Sequence, residues 1–302
     1  MKYSFLLFFF TFRIFAASCC GGGANFPGLI TGDYKSQFVS SINHSSIIGH
    51  TNSNKESIFH SKDNNERSQT LKLTGTMQVS DLWQAGLSLP IVRKSFNRPG
   101  NTNTHSGLGD IELHGAYEFL PEYSYSSWRP RGFLFVSATL PTAPSINDPD
   151  VILEVERARG QGFMVLKSGF SFFKVLGNWD FQLLGQLEKP FARTFQTKGS
   201  SIQKHPGLGW SALASFGHSP FGGDFRWGMA FAPSSKAAVR NSENTLLSDS
   251  QFVWDTTLSL SYLVNFDWSV NFNYTDQTIL GPSKNATLSR SSALSIMKKW
   301  TL

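Results

Sequence analysis

The sequence lacks long apolar runs, although its 302 residues include 27 phenylalanines and 8 tryptophans. No stretch of about 18 apolar residues occurs, which excludes a chain that crosses a membrane as hydrophobic helices. Charge is also scarce, since Lys, Arg, Asp and Glu make up only 16% of the residues. A mean hydropathy of −0.18 with 26 glycines and many aromatics is typical of a membrane barrel. In such a barrel, half of each strand faces lipid and half faces a polar interior.

Cysteine is nearly absent, and the two cysteines, Cys19 and Cys20, are adjacent. Neighbouring cysteines cannot cross-link a fold, so we expect no structural disulfide. No further Cys or His ligands follow them closely, so we expect no metal site. Cys19 is a candidate for lipidation, although residues 16–19 lack the Leu that a lipobox carries three positions before the cysteine. The alternative is ordinary cleavage, which leaves residues 19–23 (CCGGG) as a mobile start.

The first 18 residues have the three parts of a secretory signal peptide. Lys2 supplies the positive region, residues 3–15 the apolar region, and residues 16–18 (AAS) a small-residue cleavage site. Arg13 inside the apolar region is unusual, and a buried N-terminal helix is the alternative. The pattern predicts export and cleavage, followed by a flexible segment over residues 19–33.

Residues 251–277 show the pattern that the rest of the chain repeats. Phe252, Trp254 and Leu258 share one face with other apolar residues, and polar residues occupy the alternate positions. A turn at residues 265–267 leads to a second arm with the same alternation. A period of two over both arms predicts a β-hairpin with one apolar and one polar face.

Recurrence of this pattern predicts an all-β fold over residues 34–302, a transmembrane antiparallel β-barrel of about 12 strands. Short connections alternate with long ones. The shortest are residues 80–82, 175–178 and 265–267, and the longest are residues 50–68, 143–160 and 233–250. Such alternation indicates short periplasmic turns and long outer loops in a bacterial outer-membrane barrel. A soluble β-sandwich is the alternative, but it has no reason to sort its long loops to one end.

Aromatic residues collect beside the predicted short turns, where a barrel carries its periplasmic aromatic girdle. The predicted girdle comprises Trp83, Tyr117, Phe119, Phe172, Trp179, Phe216, Phe225, Tyr262 and Trp268.

Polar and charged residues occupy the opposite face of the predicted strands and are candidates for lining the lumen. They are Lys72, Asp110, Glu112, His114, Glu118, Lys167, Asp180, Gln182, Gln186, Glu188, Arg226, Asp255, Asn271 and Asn273. Both signs of charge are present. One interpretation is that these charges pair across the interior and fill it, because unpaired buried charge is costly. The other is that they form the selectivity lining of a narrow pore.

Three short motifs carry a resemblance to a known family. They are residues 87–90 (LSLP), residues 107–113 (GLGDIEL) and residues 138–142 (ATLPT). Together they resemble outer-membrane transporter barrels of the phenol-degradation meta-pathway type, over most of residues 70–300. The resemblance implies an outer-membrane barrel related in role to channels for hydrophobic compounds, without catalytic residues.

The remaining chemistry favours transport over catalysis. Glu112 and His114 share a strand face, but no nucleophile stands beside a base, so we expect no enzyme and no cofactor. The net charge of +6 is scattered through loops, which disfavours nucleic-acid binding and suits contact with lipopolysaccharide and outer-membrane lipid. Outer-membrane barrels usually end on an aromatic residue that the barrel assembly machinery reads, and here the aromatic, Trp300, departs from that pattern by lying two residues before the end. The sequence predicts passive or gated passage of a small solute, which can be apolar. The alternative is a structural or adhesive barrel that works through its outer loops.

Overall fold

The protein forms a closed β-barrel with strands added outside it. The computed structural model describes residues 26–60, 65–98, 101–122, 128–148, 157–197, 200–220, 223–280 and 283–301. The predicted signal peptide, residues 1–18, and the lipidation candidate Cys19 lie outside the described residues. Within the described ranges, no helix is long and apolar enough to cross a membrane.

The strands are numbered in chain order. They are β1 (Ser36–Thr51), β2 (Ser57–Phe59), β3 (Asn65–Gln78), β4 (Trp83–Arg98), β5 (Asn101–Leu108), β6 (Ile111–Leu120), β7 (Arg131–Leu140), β8 (Val165–Leu176), β9 (Trp179–Pro190), β10 (Arg193–Thr197), β11 (Ser200–Pro206), β12 (Gly209–His218), β13 (Phe225–Lys236), β14 (Val239–Asn241), β15 (Leu246–Ser248), β16 (Gln251–Leu263), β17 (Trp268–Asp276) and β18 (Thr287–Trp300).

Twelve of these strands form the barrel wall, and each pairs antiparallel with its neighbours. The order around the wall is β1, β3, β4, β6, β7, β8, β9, β12, β13, β16, β17, β18. The pairing of β18 with β1, from Ser36 opposite Trp300 upward, closes the ring and leaves no free edge in the wall. The prediction of an antiparallel barrel of about 12 strands is confirmed.

The alternation that predicted the wall is visible along β9. Phe181, Leu183 and Leu187 point outward and are 43%, 52% and 52% exposed. Asp180 and Gln186 alternate with them and are buried inside. An apolar outer surface around a polar interior is the surface pattern of a barrel that sits in lipid. Strand β7 is apolar at both alternating sets of positions, so its sequence does not show which side chains point inward. In the structure Phe133 and Phe135 point inward and Leu134 points outward.

The short turns lie at one end of the barrel and are built by turn-forming residues. Gly177, at a φ of +59°, and Asn178 make the two-residue connection between β8 and β9. Glycine adopts this left-handed conformation without steric cost, and such turns match the twist of a hairpin. Between β16 and β17, the Asn265 side chain accepts hydrogen bonds from the backbone amides of Asp267 and Trp268 at 3.0 and 2.9 Å. This is the Asx-turn geometry that favours Asn at the start of a turn.

The predicted girdle residues lie beside these short turns. The Trp83 and Tyr117 rings stand 4.9 Å apart across β4 and β6, and the Trp179 and Phe216 rings 6.4 Å apart across β9 and β12. Phe119 meets Phe172 edge-on at 5.9 Å. The remaining members, Phe225, Tyr262 and Trp268, are exposed on the outer surface.

Several connections at the outer end of the wall contain short strands. Strands β10, β11, β14 and β15 form a separate four-stranded antiparallel sheet, which we call the outer sheet. Strand β5 extends the outer end of β4, and β2 extends that of β1. The prediction of loops over residues 50–68 and 233–250 is therefore wrong in part, because these ranges contain β2, β14 and β15. Their strands are short and lack the long alternation that marks the wall.

Candidate channel lumen

The segment that precedes β1 lies inside the barrel. We call residues 26–31 (FPGLIT) the inner segment. The Gln84 amide accepts a hydrogen bond from the Ile30 backbone amide and donates one to the Ile30 carbonyl, both at 2.8 Å. The Thr76 hydroxyl donates to the Gly28 carbonyl oxygen at 3.0 Å, and His114 Nε2 lies 3.1 Å from that oxygen. Side chains of the wall thus supply the backbone partners that a neighbouring strand would supply.

Apolar contacts hold the inner segment as well. Leu29 is 4% exposed and belongs to a buried cluster with Phe133, Phe135, Leu184 and Leu213 of the wall, and Phe26 packs against this cluster. This cluster is an apolar patch in an otherwise polar lumen, and it removes the Leu29 side chain from water. Burial of such a side chain contributes roughly 1.5–3 kcal/mol.

An ion pair anchors the end of the inner segment that is nearer to the short turns. The Arg131 guanidinium donates to Glu118 at 2.8 and 3.1 Å and to the Thr31 carbonyl oxygen at 2.8 Å. Glu118 is 2% exposed, so its negative charge is balanced by the Arg131 guanidinium and not by solvent. The same guanidinium reaches Asp33 at 3.4 Å. Arg131 therefore ties β6 and β7 to the chain just before β1.

A second buried ion pair lies on the inner face of the wall and joins β9 to β13 across β12. Arg226 donates two hydrogen bonds of 2.6 Å to the two carboxylate oxygens of Asp180. The guanidinium has room because its neighbours are glycines, and a Cβ on Gly217 would collide with it. Gly228, which pairs with Gly217, would bring a Cβ within 3.0 Å of Arg226. This pair fills space and leaves no net charge.

Beside the inner segment the lumen opens into a cavity of about 540 Å³, which we call the chamber. That volume lies within the range of roughly 300–1,000 Å³ that small-molecule sites occupy. Its apolar lining residues come from the inner segment and the wall and include Phe26, Leu29, Val92, Leu184, Leu213 and Met297. Its polar lining residues include Thr74, Ser88, Thr139, Gln182, Asn271 and Asn273. The chamber thus has both an apolar and a hydrogen-bonding surface.

Charged residues of both signs line the chamber: Lys72, Lys94, Arg159, Lys167, Asp110 and Glu112. The Lys167 ammonium lies 3.5 Å from Glu112. Asp110 accepts hydrogen bonds from the backbone amides of Ala143 and Gln161 at 3.1 and 2.7 Å. Its carboxylate therefore holds the connection between β7 and β8 in place beside the chamber.

The outer sheet folds in over the inner face of β8. Phe195 of β10 is 4% exposed and meets Phe163 edge-on at 5.4 Å, next to the buried Val165. Arg193 donates to the Gly162 carbonyl oxygen at 2.8 Å, and Lys204 of β11 donates to Asn147 at 2.6 Å. Burial lowers the pKa of Lys204. Both cations also stand over the Phe195 ring, at 5.2 and 5.6 Å from its centre.

The candidate lumen residues fall into three groups according to their contacts. Lys72, Asp110, Glu112, Lys167, Gln182, Asn271 and Asn273 line the chamber. His114, Glu118, Asp180 and Arg226 are buried: His114 binds the inner segment, Glu118 binds Arg131, and Asp180 binds Arg226. Gln186 donates to Glu188 at 2.9 Å, and Asp255 accepts from Gln277 at 2.8 Å.

Sequence reasoning missed several residues that shape the lumen. The inner segment shows no alternation of apolar and polar residues and follows a run of glycines, so the sequence predicts a flexible segment before the barrel. Lys94 continues the inward parity of β4, and extending that alternation past Ser88 would have found it. Leu184 and Leu213 occupy inward positions where a polar lumen is expected. These two leucines interrupt the run of polar inward residues, and that interruption is the sequence signal for an apolar surface in the chamber, which we call the floor.

The arrangement offers no catalytic geometry in the residues described. His114 contacts the Gly28 carbonyl and the Thr76 hydroxyl at 3.1 and 3.2 Å, so its role is to hold the inner segment. In the same residues, no three His, Cys, Asp or Glu side chains group as a metal site requires. The chamber is large enough for a small molecule and offers it both apolar and hydrogen-bonding side chains.

Comparison with known proteins supports the fold. No family model matches the chain, and neither does any curated protein sequence. An outer membrane channel from Pseudomonas putida F1 superposes with a TM-score of 0.72 at 13% identity, over 91% of this chain and 98% of that chain. The translocator domain of the autotransporter NalP from Neisseria meningitidis gives 0.49 at 9% identity, over 88% of each chain. The monoaromatic hydrocarbon channel CymD gives 0.45 at 9%, over 90% of each chain.

The first of these similarities shows that the chain has the fold of an outer-membrane barrel. Because the sequence identity is 13%, the likeness extends to the fold alone. The resemblance of residues 87–90, 107–113 and 138–142 to phenol-degradation meta-pathway barrels stays a prediction.

Proposed function

We propose that this barrel lies in the bacterial outer membrane and acts as a gated channel for a small solute with an apolar body. The apolar outer surface and the aromatic rows beside the short turns support a position in lipid. The chamber supports a solute site, since its volume of about 540 Å³ suits a small molecule and its wall includes Leu29, Leu184 and Leu213.

The observation that carries the proposal is the way the chamber is closed. On the side toward the short turns its boundary includes Phe26 and Leu29 of the inner segment. This segment is attached by side-chain hydrogen bonds and apolar contacts rather than by strand pairing. Each such bond contributes only about 1 kcal/mol, so the segment can be displaced without unfolding the wall. We infer that its movement connects the chamber with the periplasm.

The test is uptake by proteoliposomes that contain either the native protein or a variant lacking residues 26–31. We expect the native barrel to admit a small aromatic alcohol faster than protein-free liposomes, and the deletion variant to admit it faster still. Single-channel conductance in planar bilayers gives an independent measurement of the same opening. A folded native barrel that admits nothing, together with a deletion variant that admits nothing, would exclude a channel.

A specific observation also favours the second candidate, an adhesive barrel. The outer sheet exposes Ile202, Leu246 and Leu247, which are 38%, 47% and 44% exposed. Exposed apolar side chains on a surface loop are suited to contact with another surface. Deletion of residues 239–248, which contain β14 and β15, separates the two functions. Lost cell-surface attachment with unchanged solute uptake would establish adhesion as an additional role.

A further inference from the structure

We propose that the chamber prefers a solute that carries a carboxylate, with the carboxylate held by Lys94 and Arg159 and the apolar body resting on Leu29, Leu184 and Leu213. This inference rests on the proposed function, because it specifies the class of solute for the same cavity. It follows from the balance of charge in the chamber and from the separation between its charged and apolar surfaces.

Cations outnumber carboxylates around the chamber. Lys72, Lys94, Arg159 and Lys167 line it, against Asp110 and Glu112. Glu66 shares a smaller adjoining cavity with Lys94, and including it leaves four cations to three carboxylates. A cavity with an excess of one sign inside a low-dielectric wall concentrates solutes of the opposite sign.

The carboxylates are already engaged by the protein. Asp110 accepts two backbone hydrogen bonds at 3.1 and 2.7 Å, and Glu112 lies 3.5 Å from Lys167. By contrast, Lys94 makes no hydrogen bond or ion pair within the described part of the chain, and its charge interaction there is with Glu66 of the adjoining cavity. Arg159 makes one long hydrogen bond, 3.4 Å, to the Leu108 carbonyl oxygen. A half-buried cation without a close partner is costly, and a bound carboxylate would offset that cost.

The two cations lie at nearly the same level of the barrel. A Cβ on Gly107 would lie 2.8 Å from the guanidinium carbon of Arg159, so this group rests on Gly107. Gly107 pairs with Val92, which is one inward position from Lys94 on β4, or about 7 Å along the strand. A carboxylate has two oxygens, and a guanidinium and an ammonium at this spacing can each bind one of them.

The apolar surface lies apart from these cations. Leu29, Leu184 and Leu213 belong to the buried cluster that the inner segment forms with the wall. All three also line the chamber. A compact organic acid can therefore place its ring or short chain on this floor while its carboxylate reaches the two cations. A neutral molecule of the same shape would gain only the apolar contact.

The experiment compares benzoate with benzamide, which has the same ring and no charge. Equilibrium binding to the purified barrel, followed by saturation-transfer NMR, should give about tenfold tighter binding of benzoate, the size expected for one partly screened charge interaction. The double variant Lys94→Gln/Arg159→Gln should bind the two molecules equally and keep its affinity for benzamide. Lys236→Gln, an exposed lysine at the end of β13, is the matched control and should keep the preference.

Each outcome distinguishes the inference from the proposed function. Equal binding of benzoate and benzamide to the native protein would overturn the inference, and uptake of either molecule would still support a channel. Preferential benzoate binding without uptake of either molecule would support the carboxylate site and count against the channel. If the double variant does not fold, the preference of the native protein and its loss at high salt decide the question, because screening weakens only the charged contact.

Discussion

Arg226 and Asp180 form a bidentate ion pair inside the barrel, with two N–O distances of 2.6 Å and side chains that are 1% and 7% exposed. The pair joins β13 to β9 across β12, whose Gly217 leaves space for the guanidinium. Because both charges are removed from water, each depends on the other to remain ionised at low cost.

Removal of one partner should destabilise the barrel strongly. Asp180→Asn leaves the Arg226 charge buried without its counter-ion, which should lower the free energy of unfolding by about 3–5 kcal/mol. Urea-induced unfolding in lipid vesicles gives the measurement. Glu122→Gln is the control, since the 2.8 Å pair of Glu122 with Lys174 is more exposed and should contribute at most about 1 kcal/mol. Equal losses in the two variants would contradict a special role for the buried pair.

A methyl group at Gly217 should be poorly tolerated. The added Cβ would collide with the Arg226 guanidinium, so Gly217→Ala must displace the buried ion pair, at a cost of about 1–3 kcal/mol. Gly75→Ala is a matched control, because Gly75 also lies within a wall strand and a Cβ there has nothing within 4 Å. Thermal unfolding followed by gel mobility should separate the two variants. Melting temperatures equal to that of the native protein in both variants would contradict the steric role of Gly217.

The wall could be predicted from the sequence because its signal is local. Along β9, each outward Phe or Leu is followed by an inward residue, and this alternation is complete within one strand. The inner segment has no such signal. Its partners are side chains far away in the chain, with Gln84 54 positions and Arg131 100 positions distant. Only closure of the barrel brings these residues together, so no short window of sequence could reveal them.

Residues of the candidate site differ in the same way, since some carry a local sequence signal and others do not. The inward parity located Lys72, Glu112 and Lys167, since each lies on a long alternating strand. Arg159 comes from the connection between β7 and β8, where no periodicity exists, and its place beside the chamber depends on long-range contacts of that connection. Loop residues that fold back into a barrel are set by tertiary contacts rather than by local pattern.

Weakening the hold of Gln84 on the inner segment should open the channel. Gln84→Ala removes both hydrogen bonds to Ile30, worth about 2 kcal/mol together, which corresponds to roughly a thirtyfold increase in the ratio of open to closed states. Single-channel recordings should show a larger open fraction with unchanged unit conductance. Gln203→Ala in the exposed part of β11 is the control and should leave the open fraction unchanged. An unaltered open fraction in Gln84→Ala would mean that the segment does not gate the lumen.

Loss of the Phe195 ring should release the outer sheet. Phe195→Ala removes the contact with Phe163 and Val165 and the ring on which Arg193 and Lys204 rest, so we expect a local loss of about 3 kcal/mol. Hydrogen exchange of the β10 and β11 amides should become faster, while the wall strands keep their protection, because the outer sheet is a separate hydrogen-bonded unit.

Phe191→Ala is the matched control for that change, since Phe191 precedes β10 and is 44% exposed. We expect its exchange pattern to match that of the native protein. If the sheet covers the chamber, Phe195→Ala should also speed solute uptake, whereas Phe191→Ala should not. Faster exchange without faster uptake would show that the sheet rests on β8 without limiting entry, and the inner segment would then be the barrier to test next.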